Sequence, residues 1–310
     1  MGRSIILGVV GDSAAGKTTL TRGLVRVLGE DNVTHVCVDD YHRYDRRQRA
    51  ERNITPLDPE CNYMDIMAQH LEHMRNAEGF LKPVYQHNDG TFGPLVRVDP
   101  KQFSVVEGLL GYYNDDLRRL FDVRIYLSPP EELRRKWKVQ RDCSRRGYTT
   151  DQVLSDLDRR EPDSEAYIRP QQKHADIVVS FLPNASGDQE HLDARLALRP
   201  TLKHPDFSSV IDGEAGGIAI TQVDDEVHLH IPGRLNRDRA EAIEEMIWDG
   251  LHFASHLRSE RLGEFTIGTD LHRSESLALI QLLILYHLFT ATASAALGGA
   301  PIRASEPATA

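Results

Sequence analysis

The sequence predicts an α/β fold: a mainly parallel sheet flanked by helices, followed by a smaller C-terminal α+β extension. Three observations predict it. A β-branched run, Ile5 to Val10, breaks at Gly11 and turns through Gly16-Lys17-Thr18 into helical spacing from Leu20 to Leu28. That is G-x-x-x-x-G-K-[ST] with a strand before it and a helix after it, so the fold is of the P-loop NTPase type. Short apolar runs then alternate with helical spacings up to residue 183. The character changes after Pro183, where residues 184–193 are polar and turn-rich.

The elements follow in order. The glycines of the first turn let the backbone curl, so that residues Gly11, Asp12, Ser13, Ala14, Ala15, Gly16, Lys17, Thr18 and Thr19 cradle a phosphate at a helix N-terminus. Lys17 reaches the outer phosphates, and the Thr18 hydroxyl holds Mg²⁺. Val33 to Val38 reads as a second buried strand ending in Asp39-Asp40, before a polar segment from Arg43 to Pro59. Met64, Met67, Leu71 and Met74 fall at helical spacing. A loop spans Lys82 to Gly90. Phe103 to Gly108 is a strand carrying Glu107 near its end, and Val123 to Leu127 is another. A charged helical stretch, about 131–160, is a candidate lid. Asp176 to Pro183 closes a core of residues 1–183. After a linker at 184–193, residues 194–290 form the extension. It holds a hairpin around Asp224-Asp225 and helices over Arg239–Leu257 and Ser274–Phe289. Residues 291–310 read as a disordered tail.

Composition narrows the function. The 310 residues are 40% hydrophobic, enough for a substantial core. A net charge of −10 without a long basic block argues against a nucleic-acid partner. Three cysteines, Cys37, Cys61 and Cys143, with no C-x-x-C pair, point to reduced thiols in a cytoplasmic protein without a zinc site. A core strand begins almost at once, so no signal peptide is expected. The apolar run Leu277 to Phe289 is too short to span a bilayer and reads as a buried helix, so no membrane partner is expected.

Carboxylates at strand ends carry the chemistry. In an open α/β sheet, ligands bind where the strands finish. Asp39 or Asp40 and Glu107 are therefore candidates for a general base and a Mg²⁺ ligand. The alternative is that the aspartates merely cap the next segment. His42, Arg43, Arg46 and Arg47 follow closely, a cation cluster suited to an acceptor that already carries phosphate. Arg134, Arg135, Lys136, Lys138, Arg141, Arg145, Arg146, Arg159 and Arg160 crowd the candidate lid, although interspersed acids also fit a salt-bridged surface. The pairs His70/His73 and His252/His256 lack a third ligand and read as solvated faces.

The residues resemble the phosphoribulokinase/uridine kinase family, most closely its plant and cyanobacterial phosphoribulokinase branch. The matching runs include Gly11-Asp12-Ser13 to Lys17, Asp39-Asp40-Tyr41-His42, Lys82-Pro83-Val84-Tyr85-Gln86-His87, Val106-Glu107-Gly108-Leu109, Trp137-Lys138-Val139-Gln140-Arg141-Asp142 and Asp158-Arg159-Arg160-Glu161-Pro162-Asp163. The match is dense over residues 4–183 and thinner over 228–289. The resemblance implies ATP-dependent phosphorylation of ribulose 5-phosphate at its 1-hydroxyl, for the Calvin cycle, with ATP and Mg²⁺ and in a homodimer. It implies Asp39 as base, Lys17 and Thr18 on ATP and Mg²⁺, and Glu107 near the metal. It places His42, Arg46, Tyr85, His87, Lys138, Arg141 and Arg146 around the sugar phosphate, and makes Asp142 another functional carboxylate. A uridine kinase-like or other pentose kinase is the alternative, and a non-catalytic nucleotide-binding regulator a second one. His42 separates the first, because uridine kinases usually carry Tyr there. The plant branch has a cysteine where this chain has Ala15, so its disulfide with the position of Cys37 cannot form here.

Overall fold

The computed structural model describes residues 2–184, 190–208, 217–251, 261–267, 270–298 and 302–303, apart from the side chain of Arg145. The chain divides into two compact units, residues 1–17 with 32–175 and residues 18–31 with 176–310. This differs from the expected boundary at 183. The first helix groups with C-terminal segments, and the strand at 177–182 pairs with the one at 193–198.

The first unit is built on strands that are buried along most of their length. Strand β1 (Ile5–Gly11) leads into helix α1 (Lys17–Leu28), and β2 (Val33–Cys37) follows. Helices α2 (Arg46–Arg52) and α3 (Met64–Arg75) come next, then four short strands: β3 (Phe80–Lys82), β4 (Tyr85–Gln86), β5 (Thr91–Phe92) and β6 (Val96–Val98). Strand β7 (Phe103–Gly108), the short α4 (Asp115–Arg118), β8 (Val123–Leu127), α5 (Glu131–Arg146) and α6 (Thr150–Asp163) complete it. The parallel order is β8-β1-β7-β2. Every residue of β1, β7 and β8 is buried, as a parallel sheet covered on both faces requires. Register sets Glu107 of β7 between Val9 of β1 and Cys37 of β2.

Local chemistry moves several expected boundaries. β2 stops at Cys37, and residues 38–41 form a single 3₁₀ turn that carries Asp39 and Asp40. The expected polar segment contains α2, started by an Asp45/Gln48 capping box. The stretch 131–160 is two helices. Gly147 ends α5 in the left-handed conformation at φ 70°, and a Thr149/Gln152 capping box starts α6.

The second unit adds β9 (Ile177–Leu182), β10 (Asp193–Leu198), β11 (Ala219–Val223), β12 (Glu226–Ile231), α7 (Arg237–Asp249), β13 (Glu264–Ile267), β14 (Asp270–Arg273) and α8 (Glu275–Ala296). β10 pairs antiparallel with both β9 and β12, and β11–β12 is the hairpin expected around Asp224. α7 is described to Asp249, so the expected continuation over 252–257 lies outside the described residues, as do His252 and His256. α8 corrects two expectations. It runs to Ala296, through residues read as tail, because Ala291, Ala293, Ala295 and Ala296 are strong helix formers and Ala291 is buried. At 22 residues it is long and apolar enough to cross a membrane by length and composition, yet 78% of its apolar window is buried inside the protein. Its Gln281 fills the space left by Gly23 of α1, bonding Gly263 N at 2.8 Å and Leu20 O at 3.3 Å.

Candidate active site

The phosphate loop is shaped by what its small residues permit. A Cβ on Gly11 would lie 2.5 Å from Leu127 O, so only glycine lets β1 end against β8. Gly16 at φ 96° and Ala14 at φ 66° turn the chain back toward α1. Lys17 Nζ donates to Gly11 O at 2.7 Å and Asp12 O at 2.8 Å, inside the loop's curl. Ala15 is fully buried, and Thr18 and Thr19 are exposed at the next two positions. The Asp12 carboxylate accepts from Ser13 N at 2.7 Å and from the Ser164 hydroxyl. It does not face outward; it ties the loop to the segment after α6.

A second group comes from the turn after β2. Asp40 is spent internally: Lys82 bonds its Oδ2, and Tyr85 N donates to Oδ1 at 2.8 Å. Asp39 keeps its carboxylate 26% exposed, with His87 Nε2 at 3.7 Å from Oδ2. That separates the two aspartates, which spacing alone left equivalent. Burial opposes the Asp39 charge, but His42, His87, Lys17 and Arg49 outweigh it, so its pKa is lowered and it is ionised at neutral pH. Lys17 is the counterpart. Burial lowers its pKa against the pull of Glu107, Asp39 and Asp12. Glu107 is almost fully buried, with His35 Nε2 at 3.3 Å from its Oε1.

The wall around Asp39 is polar and stacked. His42 is buried, shares a 2.7 Å hydrogen bond between Nδ1 and Asn62 Oδ1, and meets Tyr85 edge-on at 4.9 Å. Burial lowers its pKa, with Asp39 pulling the other way. Arg49 Nη2 donates to the Tyr85 hydroxyl at 2.5 Å and lies over that ring. Arg46 Nη2 donates to His87 O at 2.7 Å, so it fastens the loop that carries His87. Sequence reading missed Lys82, Arg49 and Asn62. The first answers the excess acid of Asp39-Asp40, a signal present in the sequence; the others depend on the fold.

Helix α5 supplies a third group. Asp142 is buried among Lys138 at 2.6 Å, Arg141 at 2.8 Å and Arg146 at 3.5 Å. Burial opposes the Asp142 charge, and Arg141 and Lys138 overcome it, so its pKa is lowered. Burial, then Arg141, brings Lys138 down to about 8. Arg141 Nη2 reaches Ser13 Oγ at 3.5 Å. Arg134, also missed as a loop contact, donates to Ser13 O at 3.1 Å and sits 3.5 Å from Asp12. Arg135 and Arg159 instead pair with Asp158 at 2.5 Å and Asp156 at 2.7 Å on the surface. Arg134 and Arg141 thus reach the loop, Lys138 and Arg146 gather on Asp142, and Arg135 and Arg159 belong to a salt-bridged face. His70 bonds the Tyr41 hydroxyl at 3.1 Å, and His73 bonds Glu78 at 2.8 Å, so the two histidines have separate partners.

A phosphate loop after β1, with carboxylates at the ends of β2 and β7, defines a protein of the P-loop NTPase type. Residues 6–186 match the model of the Phosphoribulokinase / Uridine kinase family, and the chain belongs to that family. It is 39% identical over 181 residues to the phosphoribulokinase of Synechocystis, covering 58% of this chain and 54% of the relative. It is 34% identical over 196 residues to the chloroplastic phosphoribulokinase of Triticum aestivum, covering 58% and 48%. The chain therefore spans about half the length of the curated relatives it matches. A solved structure of phosphoribulokinase from Rhodobacter spheroides superposes with a TM-score of 0.60 at 19% identity, over 82% of this chain and 99% of that one. The two share a fold.

Proposed function

We propose that this protein is an ATP-dependent kinase that phosphorylates ribulose 5-phosphate at its 1-hydroxyl, giving ribulose 1,5-bisphosphate in the Calvin cycle. The carrying observation is Asp39: ionised, partly open to solvent, and electrostatically coupled to the phosphate-loop lysine. Lys17 exchanges its two carbonyl acceptors for phosphate oxygens of the nucleotide. Hard oxygen donors suit Mg²⁺: the motif's Thr18 hydroxyl and the Glu107 carboxylate at the end of β7. Bound MgATP supplies the transferable phosphoryl group. Asp39 takes the acceptor's hydroxyl proton. His42, Arg46, Tyr85 and His87 shape the acceptor's side, and Lys138, Arg141 and Arg146, gathered by Asp142, bring positive charge to phosphate. Basic groups in this number favour an anionic acceptor over a neutral nucleoside.

The test is a coupled ADP-release assay with ribulose 5-phosphate, other pentose phosphates and uridine as acceptors. Turnover with ribulose 5-phosphate above all others is expected. Preferred turnover of uridine overturns the acceptor, and nucleotide binding with no turnover on any sugar overturns the enzyme. A cytoplasmic homodimer is part of the same reading, and light scattering is expected to return the mass of two chains.

A further inference from the structure

Beside the proposed base lies a thiol that phosphoryl transfer does not use. Cys37 ends β2, Asp39 lies two residues on in the following turn, and His87 approaches from the segment after β4. One ligand atom from each, Sγ, a carboxylate oxygen and an imidazole nitrogen, lies within 4.8 Å of the other two. All three residues are half-buried, and the side chains of His87 and Asp39 keep 43% and 26% of their surface open to solvent.

We propose that Cys37, Asp39 and His87 form a binding site for a borderline-soft divalent cation of the zinc class, and that occupancy withdraws Asp39 from catalysis.

Tetrahedral bonds of about 2.0–2.3 Å put ligand atoms roughly 3.5 Å apart. His87 Nε2 and Asp39 Oδ2 already stand 3.7 Å apart. Rotation about side-chain bonds, by about 1 Å, closes the rest of the set. Three protein ligands leave a fourth position for water, the arrangement of an open zinc site. The donor set selects the ion: sulfur and imidazole suit zinc, whereas Mg²⁺ takes hard oxygen ligands. Burial pushes the Cys37 thiol well above its ordinary range, and Asp39, Asp40 and Glu107 add to the shift, so the ion has to displace a proton from a thiol here. Binding joins Sγ, a carboxylate oxygen and a ring nitrogen to the ion and releases the thiol proton to solvent, with no change in oxidation state. The two states of Asp39 then exclude one another: in one it accepts a hydroxyl proton, in the other its lone pair is on the ion.

Only the inhibitory consequence rests on the proposed kinase activity, and the experiment separates the two. Cobalt(II) is titrated into the full reduced chain, and the thiolate-to-cobalt charge-transfer absorption is followed. Zinc affinity is measured by competition with a chromophoric chelator. One equivalent of cobalt is expected to raise the band in the wild type and in Cys143→Ser. The band should vanish in Cys37→Ser, whose zinc affinity should fall by more than the ~10-fold that losing a supporting contact costs. His87→Ala, a change at a partly exposed side chain, should weaken zinc similarly and covers the case in which Cys37→Ser does not fold. No band in the wild type, or a band that survives in Cys37→Ser, overturns the site. In the acceptor assay, zinc should inhibit the wild type until a zinc-selective chelator is added, while Cys37→Ser resists. Equal inhibition of both overturns the withdrawal of Asp39. Absent turnover leaves the cobalt and chelator measurements to decide the site.

Discussion

Two adjacent aspartates of identical chemistry have opposite fates here. Asp40 is buried against Lys82 and a backbone amide, while Asp39 keeps its carboxylate in reach of solvent. Asp39→Asn keeps the shape and removes the proposed proton acceptor. It is expected to lower kcat by about 10²–10⁴-fold with the KM for ATP nearly unchanged, in steady-state kinetics. An unchanged kcat would move the base elsewhere. Lys138 gives the pH dependence its sign. Burial depresses its pKa to about 8, so it is charged below that pH and neutral above it. Its proposed hold on an anionic acceptor is therefore expected at neutral pH and lost as pH rises through about 8. The ratio kcat/KM for the sugar phosphate, which reports the free enzyme, is expected to fall on that alkaline side. Lys138→Arg, which stays charged, should carry the fall to higher pH. If both proteins share one alkaline limb, Lys138 is not the group that titrates.

Between β7 and the turn after β2, one missing methyl group sets where Asp39 sits. A Cβ on Gly108 would lie 2.2 Å from the Cβ of Val38, the residue before Asp39. Both are buried in the first unit, so the turn has nowhere to retreat. Gly108→Ala is expected to cost about 1–3 kcal/mol in urea denaturation, as overpacking does, and to reduce kcat by displacing Asp39. An unchanged midpoint and kcat would show that Val38 steps aside freely. The strands of this unit were legible because β1, β7 and β8 are mostly apolar and β-branched, with few polar interruptions, and the phosphate loop because its spacing is dictated by phosphate geometry. The resemblance already pointed to Asp39 as the base, whereas the residue types alone offered a pair. What the structure adds is Lys82, which occupies Asp40 and which no local period connects to it. The split of the basic stretch into α5 and α6 was written in Gly147 and Thr149, a stop and a start masked by uninterrupted charge.

At the scale of the chain, the division into units was the least legible feature. α1 follows the phosphate loop directly, yet it groups with the C-terminal half. Its Leu20 carbonyl is bonded by Gln281, 261 residues away, and a pairing of that range leaves no periodic trace. One consequence is measurable on the whole molecule. A nucleotide held by the phosphate loop bears on the stability of the folded chain. A ligand that binds only the folded state stabilises it by RT ln(1 + [L]/Kd), about 2.7 kcal/mol at a hundredfold excess over Kd. At the ~2 °C per kcal/mol typical of larger domains, MgATP is expected to raise the unfolding midpoint by about 5 °C. Lys17→Ala should unfold at its own midpoint with or without MgATP, because the outer phosphates lose their partner. Asp39→Asn should still show the full rise, since its defect lies in proton transfer. A rise that survives in Lys17→Ala would mean that the nucleotide is held away from the glycine turn.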